Sequence, residues 1–469
     1  MHSSEWFETD ESLLFYDDNI ILEETSQGVW EDCVAPSIFS VAYFLSQLVL
    51  VNFIFALFVS TVRLKKELFH LLSGVCGLYL IYQLEFYEGK LLLILVFSSS
   101  YLVLILIDLL QKALSLLGKE KIHRTSYFSS SNIIKYTLIV ILVLCEYFLM
   151  NAATWLEIRG LVMVFSMKLI SLVDDMEKDI VQFPSFFNYF GYIFCGANVI
   201  FGPWISFDEY NLMYDKPTRK NFRWMFSIVR TLAISLFFLT VSNCFCNYVI
   251  DGEMPVFLQS YKEALSFRTS HYFVSFLSEV TMLSAGYKNS KIWNEPDKWR
   301  YEIVNPLKIE YPTALATVVT HWNKPMHDFL KKYVYRSWLP LGKFYAILAT
   351  FVMSSFLHGF ELKVSVVLIT IGIFSYLQFA LREYFAGAFD CCMRVHPCKG
   401  CCKHKHKREA LLSICFRLLF TLTNVIHLVY LGMLMDSSTD EIGIINKWRS
   451  LYFISFWLMS INVSIILQI

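Results

Sequence analysis

Charge is scarce in this chain, and at its start one sign is missing altogether. Asp, Glu, Lys and Arg make up 17 % of the 469 residues, against about 25 % in an ordinary soluble domain. The formal net charge is zero, and nothing points to a nucleic-acid partner. Residues 1–32 hold Glu5, Glu8, Asp10, Glu11, Asp17, Asp18, Glu23, Glu24, Glu31 and Asp32, but no Lys or Arg. They also lack an apolar core, so no cleavable signal peptide is visible and the first hydrophobic span must itself act as the targeting signal. There is no internal repeat and no low-complexity linker. The paired halves that mark many transporters are not evident either.

What the chain has instead is hydrophobic length. A run of about 20 apolar residues crosses a bilayer as a helix. Such runs recur at 37–60, 68–84, 91–110, 133–150, 224–250, 343–360, 363–381, 411–434 and 450–468. Two more polar candidates lie at 153–173, with Glu157, Arg159 and Lys168, and at 268–287, with Arg268, His271 and Glu279. Helices that polar should face the bundle interior rather than lipid. The expectation is an all-α polytopic membrane protein with about eleven transmembrane helices. Residues 1–36 form an acidic tail, and 37–469 form one integral membrane domain.

Lys and Arg collect on the cytoplasmic side of membrane proteins. Here they collect in three loops: Arg63, Lys65 and Lys66; Lys112, Lys119, Lys121 and Arg124; and Lys399, Lys403, Lys405, Lys407 and Arg408. Those loops are expected in the cytosol, which puts the N-terminal tail in the lumen and, by the crossing count, the C-terminus in the cytosol. The acidic loop from Asp436 to Glu441 also falls on the lumenal side. The sequon Asn462-Val463-Ser464 is inside the last span and out of reach of glycosylation.

The third basic loop, 391–409, also crowds Cys391, Cys392, Cys398, Cys401 and Cys402 with His396, His404 and His406. Thiolate and imidazole ligands at short spacing suit zinc. A reduced juxtamembrane loop, acylated or touching anionic lipid, is the other reading. No metal is assigned on this pattern alone. The remaining cysteines lie mostly in spans and read as small packing residues.

Against this apolar background His358 stands out, near the end of the run from Leu341 to Phe360. An ionisable side chain at membrane depth marks a functional site. A buried imidazole stays neutral and can act as a general base toward a hydroxyl. Gly359 lets backbone approach closely, and Ser354, one turn earlier on the same face, could orient the ring. The alternative is a core histidine hydrogen-bonded to a neighbouring helix. A second polar cluster is His321-Trp322-Asn323. Asn323 could stabilise a developing oxyanion or simply cap a helix ahead of Pro325. Trp322 could line a pocket or anchor the chain at the interface.

Two further segments belong with these. Lys288 to Pro312, with Trp293, Asp297, Lys298, Trp299 and Arg300, could meet the phosphates of a coenzyme A donor or be a solvated loop. Phe201-Gly202-Pro203-Trp204-Ile205-Ser206-Phe207 follows an apolar run broken by Gly191, Gly196 and Gly202, as a cavity-lining re-entrant segment would or an ordinary kinked span.

M-K-L-I-S-L at 167–172, F-G-P-W-I-S-F at 201–207, H-W-N at 321–323 and L-H-G-F at 357–360 follow one another in an order that resembles the membrane-bound O-acyltransferase family. The match runs over about 160–380, roughly the central half. Within the family it is most similar to the enzymes that acylate Wnt proteins. The resemblance implies a helical bundle with re-entrant segments around an acyl-transfer tunnel open to both faces of the endoplasmic reticulum membrane. It implies palmitoleoyl-CoA as acyl donor, a Wnt serine as acceptor, and no cofactor. It makes His358 and Asn323 catalytic, and Trp322 a border of the acyl tunnel. Ser354 joins Trp322 as a substrate-side residue. Relatives that acylate other secreted peptides or lysophospholipids would use the same His and Asn. A transporter or non-catalytic scaffold is the reading from another class.

Overall fold

The computed structural model describes residues 26–84, 87–116, 130–215, 220–246, 254–287, 301–395, 398, 402–436 and 442–467. The acidic tail through residue 25 lies outside them. So do Lys119, Lys121 and Arg124, the segment 288–300 with its tryptophans and charges, and His396, Lys399 and Cys401.

Every regular element among the described residues is helical; the one β-type contact there is an isolated bridge between Cys391 and His406. A short helical lead-in, Ser26–Val29 and Trp30–Val34, runs into α1 (Ala35–Thr61), so helix reaches back into the segment read as a tail. Helices α2 (Lys66–Tyr82), α3 (Tyr87–Leu116), α4 (Ser130–Leu144) and α5 (Ala152–Glu177) follow. A short α6 (Phe186–Ile193) packs on α2, and α7 (Phe207–Asp215) packs on α5. Helices α8 (Phe222–Thr240) and α9 (Val256–Ser284) form the most extensive pair in the molecule. Three short helices, α10 (Pro306–Glu310), α11 (Leu315–Trp322) and α12 (Lys324–Leu330), lead to the hairpin of α13 (Lys343–Leu357) and α14 (Leu362–Ala388). Helix α15 (Leu411–Gly432) packs on α9, and α16 (Ile444–Ser450) and α17 (Ile454–Leu467) end the chain.

Among the described residues, five helical segments are long and apolar enough to cross a membrane: Trp30–Thr61, Ser131–Leu149, Phe222–Phe245, Leu362–Ala388 and Leu411–Met435. The pair α16–α17, bent by 80°, makes a sixth if counted as one span. Only 22–44 % of each of the five apolar windows is buried, which leaves broad faces for lipid. The sequence expectation of about eleven crossings is therefore larger than length and apolarity support among the described residues. Every apolar window in the described residues is helical. However, α2 has 17 residues, at the lower end of what crosses a bilayer, and α13 has 15, below it.

The two polar windows became α5 and α9, and these are interior helices. In α5, Ser166, Lys168, Ser171, Asp174, Asp175 and Glu177 are all buried. In α9, Arg268, Ser275, Ser278 and Glu279 are buried. Buried charge persists only with partners, and the partners are present. Arg268 makes a bidentate pair with Glu310 at 2.9 and 3.0 Å, and Tyr272 donates to the same carboxylate at 2.7 Å. Asp175 accepts from Tyr333 at 2.8 Å and pairs with Lys332. The polar helices thus tie the short central helices to the bundle. The largest apolar core wraps α5 and α6, with Trp155, Phe165, Ile170, Tyr192 and Phe194 inside it.

Candidate active site

His358 is the last residue of α13 in the capping sense. Its N–H donates to the Ser354 carbonyl at 3.1 Å. The chain then reverses through Gly359 at φ 82° and Phe360 at φ 63°. Their N–H groups return to Phe356 and Ser355 at 2.9 and 2.8 Å. Left-handed residues after a helix close off its last carbonyls in this way. His358 therefore sits at the tip of the α13–α14 hairpin, about 22 Å along α13 from its first residue. Its ring is half-buried, and no described side chain hydrogen-bonds it. The Ser354 hydroxyl makes no bond to the ring; the link between the two residues is through backbone.

The turn is clamped from the side. Tyr147 donates to the Phe360 carbonyl at 2.9 Å. Arg159 of α5 pairs with Glu361. The Trp155 indole N–H donates to Glu146. A Cβ at position 359 would stand 2.5 Å from the Glu146 carboxylate and 3.2 Å from the Trp155 indole nitrogen. Glycine is required here twice, for its positive φ and for the missing side chain.

Asn323 joins α11 to α12. Its Oδ1 accepts from the Met326 N–H at 3.1 Å, and its carbonyl accepts from His327 at 2.9 Å. The capping reading of Asn323 is thus realised. It also leaves the Nδ2 amide hydrogens without a partner among the described residues. Trp322 lies face to face with His271 of α9, ring centroids 4.3 Å apart and 5° from parallel. His271 Nε2 donates to the Trp322 carbonyl at 3.0 Å, which fixes the tautomer and leaves Nδ1 with its lone pair. His271 thus holds the Trp322–Asn323 corner from α9. Its signal in the sequence was the same as that of His358, an ionisable ring in a span. His321 is occupied elsewhere: its Nδ1 donates to the Thr317 carbonyl one turn back at 2.8 Å.

The F-G-P-W-I-S-F segment is non-helical up to Phe207 and mostly buried. The irregular backbone from the end of α6 through this segment is satisfied by side chains from α1, α5, α6 and α9 and by Asn198. Lys168 Nζ donates to the carbonyls of Tyr192 and Ile193 at 2.9 and 3.1 Å and to Asn198 Oδ1 at 2.8 Å. Asn198 donates to the Pro203 carbonyl at 3.0 Å, and Tyr192 to the Ile205 carbonyl at 2.9 Å. Thr281 reaches the Ala197 carbonyl at 2.7 Å, Asn52 the Gly196 carbonyl at 3.2 Å. Trp204 bonds Ser171 at 3.1 Å and packs on Phe329 and Tyr333. Gly77 of α2 presses on the Phe194 carbonyl where a Cβ could not fit. Irregular backbone at membrane depth needs this kind of internal pairing.

One feature was not legible in the spacing of the cysteines: Cys33 and Cys244 form a disulfide. It ties the lead-in of α1 to the turn after α8. The described cysteines of the 391–409 loop, Cys391, Cys392, Cys398 and Cys402, are free thiols, and the donor atoms of Cys392, Cys398, Cys402 and His404 lie close together.

A profile of the membrane-bound O-acyltransferase family matches residues 82–398. The chain is 30 % identical over 491 residues to "Protein-serine O-palmitoleoyltransferase porcupine" of Anopheles gambiae, covering 95 % of this chain and 94 % of that one. The mouse protein of the same name is 32 % identical over 385 residues, 75 % of this chain and 81 % of its own. "Lysophospholipid acyltransferase 2" of Arabidopsis thaliana is 24 % identical over 259 residues, 46 % of this chain and 56 % of its own.

Proposed function

The chain belongs to the membrane-bound O-acyltransferase family, and on that premise we propose that it transfers palmitoleate from palmitoleoyl-CoA to a serine hydroxyl of Wnt proteins in the endoplasmic reticulum. Acyl transfer is the activity of the family, which sets aside a transporter or scaffold. A protein serine as acceptor and palmitoleate as the acyl group follow the names of the mosquito and mouse relatives. The Wnt acceptor follows the motif resemblance.

The observation that carries the reading is an imidazole held at a clamped hairpin tip, with no side-chain partner among the described residues. The Asn323 side-chain amide N–H, at a corner held by His271, is likewise left without a partner among them. His358 takes the proton from the serine Oγ, and Oγ attacks the thioester carbonyl. The carbonyl oxygen becomes an oxyanion, stabilised by the free Nδ2 amide of Asn323. The intermediate collapses, the C–S bond breaks, and coenzyme A leaves as a thiolate that takes the proton from His358. Trp322 and Ser354 border the bound substrates. Around this site we assign the family architecture: about eleven crossings and a tunnel open to both faces.

The same reading orients the protein. Structural disulfides form on the oxidising side of the membrane, so Cys33–Cys244 belongs to the lumen. Helix α9 begins on that side, and Gly432 at the end of α15 packs on Ala264 near the start of α9. The start of α15, with the 391–409 loop before it, is then cytosolic, and so is the C-terminus.

The test is acyl transfer by detergent-purified protein from palmitoleoyl-CoA to a disulfide-constrained Wnt serine-loop peptide, with a lysolipid as competing acceptor. A positioned general base is worth about 10²–10⁴-fold, so His358→Ala should lose that much turnover at unchanged thermal stability. Equal turnover in the variant removes His358 as the base. Acylation of the lysolipid instead of the peptide removes the protein acceptor.

A further inference from the structure

We infer that Cys392, Cys398, Cys402 and His404 bind one structural zinc ion in the loop between α14 and α15.

The spacing is that of a ligand set. The four donor atoms lie within 4.8 Å of one another. Cys392 Sγ is 3.9 Å from Cys398 Sγ, and His404 Nδ1 is 3.5 Å from Cys398 Sγ and 3.2 Å from Cys402 Sγ. Tetrahedral zinc with Zn–S of about 2.3 Å and Zn–N of about 2.0 Å has S···S edges of about 3.8 Å and S···N edges of about 3.5 Å. The observed distances match those edges to within a few tenths of an ångström. Cys392 and Cys398 are not bonded to each other, and neither is paired with Cys402.

The loop is built to bring these residues together. Cys391 and His406 form the bridge that closes its two ends. The Cys392 N–H donates to the His406 carbonyl at 2.9 Å, and the Lys405 N–H to Asp390 Oδ2 at 3.0 Å. Cys391 is turned away and pairs with the Ser413 hydroxyl at 2.9 Å, which separates it from the ligand group. Three sulfurs and one nitrogen fill a tetrahedron and leave no open position, so the ion is structural rather than catalytic. On binding, Zn²⁺ replaces the three thiol protons, which pass to solvent.

The loop has something to stabilise. Buried Arg382 of α14 donates to the Met393 carbonyl through Nε and Nη2 at 3.0 and 2.7 Å. Its Nη1 donates to the Thr313 carbonyl at 2.5 Å. Thr313 stands two residues before α11, the helix that ends in Trp322. A metal-closed loop thus fixes one end of the path to the Trp322–Asn323 corner.

The experiment is elemental analysis of the full chain, expressed with added zinc and purified in detergent without chelator. We expect about one zinc per chain, released by a mercurial reagent that titrates thiols. Cys398→Ser and His404→Ala should each lose most of the metal, and Cys415→Ser, at an exposed thiol of α15, should keep it. Metal-free wild type overturns the inference without reference to any variant. Full zinc in the Cys398→Ser/Cys402→Ser double variant also overturns it. So does intact mass analysis that finds Cys398 or Cys402 acylated in most wild-type molecules.

Discussion

At the scale of single residues, the proposed site turns on how one short side chain divides its hydrogen bonds. Asn323 gives its oxygen to the helix cap, and in the proposed mechanism its amide hydrogens serve the oxyanion. The two roles can be separated. Aspartate caps a helix about as well as asparagine but offers no N–H donor and repels an oxyanion. Asn323→Asp should therefore retain thermal stability and lose acyl transfer by about 10²–10³-fold, as loss of an oxyanion donor does. Asn323→Ala should lose activity and also about 1 kcal/mol of stability through the cap. Paired melting curves and turnover assays read both effects. Full activity in Asn323→Asp would reduce the residue to its cap.

At the scale of elements, the broken segment from Phe194 to Phe207 depends on one buried cation. Lys168 touches no carboxylate; it binds two carbonyls and an amide oxygen at the frayed end of α6. Lys168→Met fits the same stem but strands those oxygens. An unsatisfied buried acceptor costs about 1–3 kcal/mol, so the variant should lower thermal stability by several kcal/mol while His358 and Asn323 remain intact. A melting temperature equal to wild type would show that the segment is held by other contacts. The sequence announced this element in part: the glycine-interrupted run said where the helix would break, and the polar residues of 153–173 said which helix would be interior. It did not say that Lys168 closes the break, because a lysine in a span carries no mark of the partner it will find. The same limit applies to the active site. His358, proposed as the base, was singled out by residue type and depth, whereas for Asn323 residue type left the cap and the chemistry open. The stacking of His271 on Trp322 and the clamp on Gly359 were not legible, because they join residues 51 apart or lie on helices whose packing no local pattern encodes. The crossing count was legible only coarsely: among the described residues five helices, or six with the bent pair, are long and apolar enough to span. Apolar windows predict helices well, but a helix inside a bundle can be apolar and still too short to span.

At the scale of the whole molecule, the disulfide and the thiol cluster divide the protein into two chemical sides. Cys33–Cys244 joins residues separated by 211 positions, and closing a loop by a disulfide stabilises a protein by typically 2–4 kcal/mol. Cys244→Ser should lower thermal stability by about that much and leave Cys33 as a half-buried free thiol. That thiol then reports topology. In sealed microsomes a membrane-impermeant maleimide should not reach Cys33 until detergent is added. Cys398 and Cys402 should react before detergent, once a chelator has removed any bound metal. This pattern follows from two independent features: disulfides require an oxidising compartment, and the basic loop 399–408 should stay with the cytosol. Labelling of Cys33 in sealed vesicles would invert the orientation of every helix.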